Sequence, residues 1–353
     1  MGKGGDKSSA LGRSRGVKRE NFHYSNSEEP HVIRRKQILE KHPEIETLYG
    51  YDIRPALIAP LIIGSQIALS YYTQLLSFPL AFLVCWLYGG AASHSLSLLT
   101  HELSHNLVLP TPKMNELFGI LCNVGMGFPS STMFKRYHME HHQFQGDHDR
   151  DVDLPTQWEG RFFTNTFLKC IWLLCQPLFY ALRPGIVRPK SYRPIDIFNV
   201  ISIALSDMVV FHFFGWKAVA YLMGSTLLGM GFHPCAGHFI AEHYIFTEGQ
   251  ETYSYYGSLN LLCWNVGYHN EHHDFPRVPG FRLPMVTNMA PEFYSNLKTH
   301  KSWTMVLYNF LTDPSIGPYS RIIRVKTTPG LKKNLESSDR IDDEVYNGAK
   351  KGK

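Results

Sequence analysis

The chain has 353 residues, of which 44% are hydrophobic and only 18% are charged, and its formal net charge is +5. This apolar content excludes an intrinsically disordered chain, and so small a charge requires no nucleic-acid partner. Polar ends flank an interior with long uncharged stretches, which is typical of a membrane protein. We therefore expect an all-α membrane protein.

Three regions follow one another along the chain. Residues 1–54 are rich in lysine and arginine and predict a cytosolic N-terminal arm with a short amphipathic helix. Residues 55–334 are expected to form the membrane domain, and residues 335–353 a basic cytosolic tail. The tail ends in Lys350-Lys351-Gly352-Lys353, which has the form of a dilysine retrieval signal. We therefore expect a multi-pass protein of the endoplasmic reticulum membrane.

The uncharged stretches are long enough for membrane-spanning helices. A bilayer needs about 20 apolar residues per helix, and no Asp, Glu, Lys or Arg occurs between Pro55 and His101. A weaker apolar run at 162–182 contains a lysine and a proline, and we predict an interfacial helix there. The four predicted spans form two hairpins and cover residues 55–76, 79–99, 197–216 and 218–241.

The distribution of positive charge predicts the orientation of these spans. Lysines and arginines are frequent in the arm, in the long loop between the two hairpins and in the tail, whereas the two tight links contain only Lys217. Because cytosolic loops carry an excess of positive charge, both termini and the long loop are expected in the cytosol. The polar segments outside the spans should then form a helical cap on the cytosolic side.

Eight histidines occur in three short groups on this side. On a helix, residues three and four positions apart share one face, so each group presents its imidazoles in one direction. A neutral imidazole is a good ligand for divalent iron, copper, nickel and zinc, and eight rings exceed the needs of one tetrahedral zinc. The spacing therefore predicts two metal ions. The groups are His101 and His105, then His138, His141 and His142, and finally His269, His272 and His273.

Two other classes of protein, a membrane zinc peptidase and a metal transporter, also contain grouped histidines. His101-Glu102-Leu103-Ser104-His105 also satisfies the HExxH pattern of zinc peptidases, in which the glutamate is the general base. That hypothesis leaves six histidines unused, and the chain contains no Asp-Gly pair to supply a third ligand. A metal transporter should carry its ligands along a path through the bilayer, whereas these groups are predicted at one face.

The combination of apolar spans and grouped histidines favours oxidation of a lipid. Removal of hydrogen from an unactivated methylene requires a strong metal-based oxidant, which iron with open positions supplies with dioxygen and one-electron reduction. The spans would hold an alkyl chain, while the histidines hold the metal and meet the electron donor. We therefore expect a histidine-ligated di-iron site in the cap.

The histidine groups resemble those of the membrane fatty-acid desaturase and hydroxylase superfamily. The surrounding residues are similar to one branch, the sphingolipid (dihydroceramide) delta-4 desaturases, over nearly the whole chain. Only the first 15 or so residues and the tail after about Asn334 lack this similarity. The matching segments are 28–39, 237–244, 251–257 and 265–276.

This resemblance implies a di-iron enzyme that introduces a trans double bond between C4 and C5 of dihydroceramide and so produces ceramide. Dioxygen is the implied oxidant, with electrons from NADH or NADPH through a reductase and cytochrome b5. Since the chain has no His-Pro-Gly-Gly element, we expect cytochrome b5 to be a separate partner. A sphingolipid C4-hydroxylase or a bifunctional enzyme stays open, because both reactions begin at the same carbons.

Residues near the histidine groups carry further expectations. Relatives use one more histidine near the fourth span, and His243 and His238 are the candidates, with His243 slightly favoured. The run of aspartates at positions 147, 149, 151 and 153 is expected in a loop as ordinary surface charge, with contact to the histidines as the alternative. Four polar neighbours either orient imidazoles or lie on solvated faces: Glu102, Glu140, Asn270 and Glu271.

Overall fold

A computed structural model describes residues 18–324, which form fifteen α-helices and one pair of short strands. The tail predicted over 335–353, with its dilysine pattern, lies outside the described residues, as does the beginning of the N-terminal arm. The predominance of helix confirms the predicted fold class.

The helices are short in the polar regions and long in the apolar ones. In chain order they are α1 Pro30–Lys41, α2 Arg54–Tyr72, α3 Phe78–Val84, α4 Gly90–Ser104, α5 Pro112–Val124, α6 Ser131–Gln143, α7 Gln157–Phe162, α8 Thr166–Val187, α9 Pro194–Phe214, α10 Trp216–Met230, α11 Gly237–His243, α12 His269–Asp274, α13 Leu283–Met289, α14 Pro291–Tyr294 and α15 Trp303–Thr312. The strands are β1 His23–Ser25 and β2 Ile322–Arg324.

The strand pair joins the two ends of the described chain. β1 and β2 are parallel, with His23 opposite Ile322 and Ser25 opposite Arg324. Farther along the arm, α1 packs against α12, which carries the third histidine group. The N-terminal arm is therefore folded onto the rest of the protein.

Four helical segments are long and apolar enough to cross a membrane. Three of them coincide with predicted spans, and the fourth is α8. Only 17% of the most apolar window of α9 is buried inside the protein, so most of this helix presents apolar side chains outward, as lipid contact requires. The segments are Arg54–Leu75, Phe78–Ser104, Thr166–Val187 and Pro194–Phe214.

The second of these segments is interrupted by a wider helical turn. A π-helical turn at Cys85–Gly89 joins α3 to α4, so that one continuous helical segment ends beside the first histidine group. α4 packs closely on α10: a Cβ added at Gly229 would lie 2.3 Å from the carbonyl oxygen of Gly90. Only glycine permits this approach of the two helix backbones.

The predicted span 218–241 is not one helix. α10 ends at Met230, a 3-10 turn follows at Pro234–Ala236, and α11 begins at Gly237. The break has a local cause, because Gly231 closes the end of α10 and the residue before a proline disfavours helical geometry. This division places α11 beside the histidine groups instead of in a continuous span.

The run predicted as an interfacial helix, 162–182, contains most of a 22-residue helix instead. The Asn165 side chain accepts the N–H of Leu168 and begins α8, which continues to Val187 through two internal prolines. Its charged groups are paired inside the protein: the Lys169 ammonium donates to the carbonyls of Phe310 and Asp313 at 2.6 and 2.8 Å. This pairing explains how an apolar helix of spanning length accommodates a lysine.

Candidate metal centre

Three helices carry the grouped histidines to one place, and a fourth adds one more histidine. The first group is at the end of α4, the second lies on α6 and the third on α12, while α11 adds His243. α4 and α6 pack directly on each other. The three groups therefore converge, although more than 160 residues separate the first from the last.

Five imidazoles form a first cluster. Nε2 of His138 lies 2.9 Å from Nε2 of His105 and 3.1 Å from Nε2 of His142, and the latter lies 3.1 Å from Nε2 of His272. The His101 ring is 4.4 Å from that of His138, centroid to centroid. One nitrogen from each of the five rings lies within 4.8 Å of the others.

A second cluster lies directly beside the first. Nε2 of His243 is 3.1 Å from Nε2 of His141 and 2.9 Å from Nε2 of His269. His273 completes it, and its ring stacks on that of His142 in the first cluster with centroids 4.1 Å apart. Eight grouped histidines and His243 thus form two adjoining sites.

Hydrogen bonding alone does not account for these contacts. A neutral imidazole Nε2 carries either one hydrogen or one lone pair, so Nε2 of His138 cannot form good hydrogen bonds with two neighbouring Nε2 atoms. Both ring nitrogens of His101 and Nε2 of His273 are buried without a hydrogen-bond partner among the described residues. At a metal–nitrogen length of about 2.1 Å, ligands at right angles lie about 3 Å apart. The arrangement therefore fits a pair of metal ions.

Burial keeps the rings in the protonation state that binds metal. Removal from water lowers the pKa of His138 and His142 well below the usual value, and neighbouring imidazoles lower it further. The same two causes lower the pKa of His243, His269 and His273. Neutral imidazole is the form that ligates, so the cluster is prepared for metal.

His238 and His243 occupy different positions. His243 is in contact with two histidines of the second cluster, whereas His238 belongs to neither cluster among the residues that the structure describes. The His238 ring instead contacts His94 at 4.6 Å and Phe239 at 3.9 Å. The geometry therefore selects His243 as the additional ligand candidate.

For Asp151 in the aspartate run, the prediction of surface charge is wrong, and the alternative, contact with a histidine, is confirmed. Asp149 is exposed, but Asp151 is only 2% exposed, and its Oδ1 lies 2.9 Å from Nδ1 of His141. The carboxylate also accepts the N–H groups of Gly146 and Asp153, which hold it in place. Although burial alone lowers the pKa of His141, Asp151 raises it above the usual value.

The two glutamates next to the first and second histidine groups have their hydrogen-bonded partners outside the histidine groups. Glu140 pairs with Arg188 and Lys190, at 2.9 Å each. Glu102 accepts the backbone N–H of Gly280 at 2.8 Å and lies 3.7 Å from Nδ1 of His101.

The two polar neighbours on α12, Asn270 and Glu271, anchor that helix. Buried Glu271 accepts the hydroxyls of Ser254, Tyr256 and Thr287 at 2.6 Å each. Asn270 accepts from the Arg34 guanidinium at 2.8 Å and donates to the carbonyl of Thr252 at 3.1 Å. Both residues therefore fix the backbone that presents the third histidine group.

Sequence reasoning missed the part that the arm plays. His31 on α1 is 2% exposed, and its Nδ1 and Nε2 lie 2.7 Å from Oδ1 of Asp274 and 2.9 Å from Oγ1 of Thr252. The Thr252 hydroxyl is in turn 3.4 Å from Nδ1 of His243. A single histidine in a basic arm does not by itself indicate this role. The one signal in the sequence is that His31 follows Pro30 at the start of a helix.

Comparison with known proteins agrees with this geometry. The fatty acid desaturase family model matches residues 77–303, and the sphingolipid Delta4-desaturase family model matches residues 18–54. The chain is 47% identical to sphingolipid delta(4)-desaturase DES1 of Drosophila melanogaster over 310 residues, which are 87% of this chain and 97% of the relative. The chain belongs to the sphingolipid delta-4 desaturase family.

Other members of the family show the same extent of similarity. The Homo sapiens DES1 is 44% identical over 87% of this chain and 96% of its own length. An Arabidopsis thaliana DES1-like protein is 45% identical over 96% of this chain and all of its own length. Membership of this desaturase family supports an oxidoreductase and removes the support for a zinc peptidase or a metal transporter.

Proposed function

We propose that this sphingolipid delta-4 desaturase acts on dihydroceramide and forms ceramide by an oxygen-dependent reaction. One hydrogen is removed from C4 and one from C5, and a trans double bond forms between these carbons. One O2 is reduced to two waters with these two hydrogens, two electrons and two protons from the donor. The observation that carries this proposal is the pair of adjoining histidine clusters, because they can hold two metals beside an apolar helical bundle.

The residues of each cluster have defined roles in the proposal. His101, His105, His138, His142 and His272 would hold one iron. His141, His243, His269 and His273 would hold the other. When bound, the two irons supply the oxidising power that breaks unactivated C–H bonds.

The protein itself contributes orientation and exclusion of water. Asp151 accepts a hydrogen bond from Nδ1 of His141 and so directs Nε2 of that ring into the second cluster. His272 is fully buried, and His101 and His243 are at most 5% exposed, which keeps bulk water away from the reacting carbons. The alkyl chain would lie against the apolar helices.

Electron supply, location and orientation complete the proposal. Electrons would come from NADH or NADPH through a reductase and a separate cytochrome b5. The excess of positive charge in the arm and in the loop between the hairpins supports cytosolic termini and a cytosolic cap. The endoplasmic reticulum is the proposed membrane, and co-localisation of the full chain with a resident marker tests it.

The decisive experiment measures both product and metal. Microsomes that contain the full chain, cytochrome b5 and its reductase are given dihydroceramide, NADH and oxygen. We expect the 4,5-trans olefin, and the purified protein should contain about two irons per chain, since each cluster offers enough ligands for one. A C4-hydroxylated ceramide as the only product would establish the hydroxylase instead, and one zinc per chain would contradict the di-iron site.

A further inference from the structure

Gln176 on α8 is buried, and its side chain has no hydrogen bond within the described part of the chain. It is 1% exposed, and both its Oε1 and its Nε2 lack a partner among the described residues. A buried amide that leaves its hydrogen bonds unmade destabilises the folded protein, because it has lost its bonds to water. Such a residue is retained against this cost when something other than the folded chain completes its hydrogen bonds.

Three polar side chains on the same face of α8 as Gln176 each form a hydrogen bond within the protein. Trp172 donates its Nε1–H to Glu159 at 3.1 Å, and Tyr180 donates its hydroxyl to Asp153 at 2.6 Å. Arg183 also donates to Glu159, at 3.1 Å from its Nε. These residues are four and seven positions from Gln176, so they share its face. Gln176 is therefore the unsatisfied member of a polar stripe that is otherwise complete.

Two ring contacts show what this face packs against. The Trp172 ring lies 6.4 Å from that of Tyr244, and the Tyr180 ring lies 4.9 Å from that of Phe239. Phe239 is on α11 and Tyr244 directly follows it. Since Gln176 is one turn from Trp172 and one turn from Tyr180, it lies on the same face of α8 as these two rings.

The side of α11 that meets α4 also carries unpartnered polar atoms. Nδ1 of His238 and Nε2 of His94 are buried without a hydrogen bond in the described part of the chain, and the two rings are 4.6 Å apart. His94 is seven residues before His101 on α4, which places it on the same helix face, about 10 Å from the first cluster. Two imidazole nitrogens without a partner in residues 18–324 thus lie on neighbouring rings near the metal centre.

We propose that Gln176, with His94 and His238, binds the amide and hydroxyl groups of the sphingolipid substrate. This inference rests on the proposed function, because it concerns the substrate of the same site. In dihydroceramide the amide nitrogen is on C2 and a hydroxyl is on C3, directly next to the reacting C4. An enzyme that oxidises C4 must therefore accommodate these polar groups close to its metals. A carboxamide can donate to the substrate carbonyl and accept from its N–H.

A second buried glutamine provides a matched control. Nε2 of Gln66 on α2 donates to Oγ of Ser93 at 2.9 Å, and its Oε1 accepts from the Tyr221 hydroxyl at 2.8 Å. Both glutamines are on long apolar helices, and both are almost fully buried. They differ in that the side chain of Gln66 is hydrogen-bonded, whereas that of Gln176 has no partner between residues 18 and 324.

The first test compares the stability of Gln176→Met with that of Gln66→Met. Methionine keeps the volume of glutamine but forms no comparable hydrogen bonds. We expect Gln66→Met to lower the midpoint of thermal unfolding of the purified, iron-loaded protein, and Gln176→Met to leave it unchanged or raise it. Equal destabilisation would show that Gln176 has a partner in the protein, and would overturn the inference.

The second test compares dihydroceramide with its N-methyl amide in the same desaturation assay. We expect Gln176→Met to lower kcat/KM for dihydroceramide about tenfold to a hundredfold, with iron content unchanged, because a bound polar group loses its partner. For the unmodified protein, N-methylation of the substrate should produce a similar loss. For Gln176→Met it should produce little further loss, because the interaction is already absent.

The outcomes separate this inference from the proposed function. If the unmodified protein does not desaturate dihydroceramide, the proposed function fails. If it does, but Gln176→Met retains full activity or the full penalty for N-methylation, only the substrate-binding site is refuted. For the folded fraction of Gln66→Met, N-methylation of the substrate should lower kcat/KM as much as it does for the unmodified protein.

Discussion

The two histidine clusters contain the same kind of side chain but are held in place differently. In the first cluster, His101 and His105 come from α4 and His138 and His142 from α6, two helices that pack on each other. Nδ1 of His101 and Nδ1 of His272 have no hydrogen-bond partner within residues 18–324.

In the second cluster, the side of each ring away from the centre meets another side chain. Asp151 contacts His141, and Thr252 lies near His243. Oε1 of Glu242 lies 3.2 Å from Nδ1 of His269, and His31 packs on His273 with ring centroids 4.9 Å apart. The packing of α4 on α6 therefore orients four of the five rings of the first cluster. The second cluster, together with His272 on α12, depends on side chains from an irregular loop and from the N-terminal arm.

The largest expected effect is loss of a ligand from the first cluster. His101→Ala and His272→Ala should abolish formation of the olefin, because each removes one of five imidazoles that lie within ligand distance of one another. Iron per chain should fall from about two to about one, since a metal site rarely keeps its affinity when a ligand is missing. Full activity in either variant would remove that residue from the ligand set, and membrane insertion should be unchanged in both.

A smaller effect is expected from the carboxylate that orients the second cluster. Asp151→Asn keeps the size of the side chain but removes its charge, and outer contacts of this kind change activity or metal affinity about 10–100-fold. Asp149→Asn is the matched control, because that residue is exposed in the same loop, and it should leave activity unchanged. Iron content and turnover measured together show whether the loss follows the metal.

Removal of His31 tests whether the arm supports the second cluster. His31→Ala deletes the contacts to Asp274 and Thr252 and leaves a buried carboxylate with fewer partners. We expect about a tenfold loss of turnover and weaker retention of one iron, at the lower end of the range for outer contacts of a metal site. His23→Ala, at an exposed position on β1, should change neither quantity. A loss of iron equal to that of His101→Ala would mean that the clusters are not supported independently.

The smallest effect is expected at His148. This histidine is exposed beside Asp149 and lies in neither cluster. His148→Ala should leave product formation, iron content and thermal unfolding unchanged, because isolated surface ion pairs contribute little to stability. A measurable loss of iron would indicate that the loop after α6 approaches the metals more closely than its exposed position suggests.

Much of this site could be predicted from local sequence. The three histidine groups follow from spacing on a helix, which is a property of a few consecutive residues. The choice between His238 and His243 could not be made in this way, because both are on α11. Only the contacts of His243 with His141 on α6 and His269 on α12 separate them. The break after Met230 was missed although Gly231 and Pro234 are visible, because the surrounding apolar residues fit a continuous span.

The chain by itself specified the apolar helices and the type and grouping of the metal-binding side chains, because each depends on neighbours within one or two helical turns. Tertiary structure decided which residues support them. His31 contacts Asp274, which is 243 residues later in the sequence. Asp151 contacts His141, although the sequence of its loop predicts exposed charges. Burial and pairing of a polar group depend on what packs against it, and no local pattern encodes that partner.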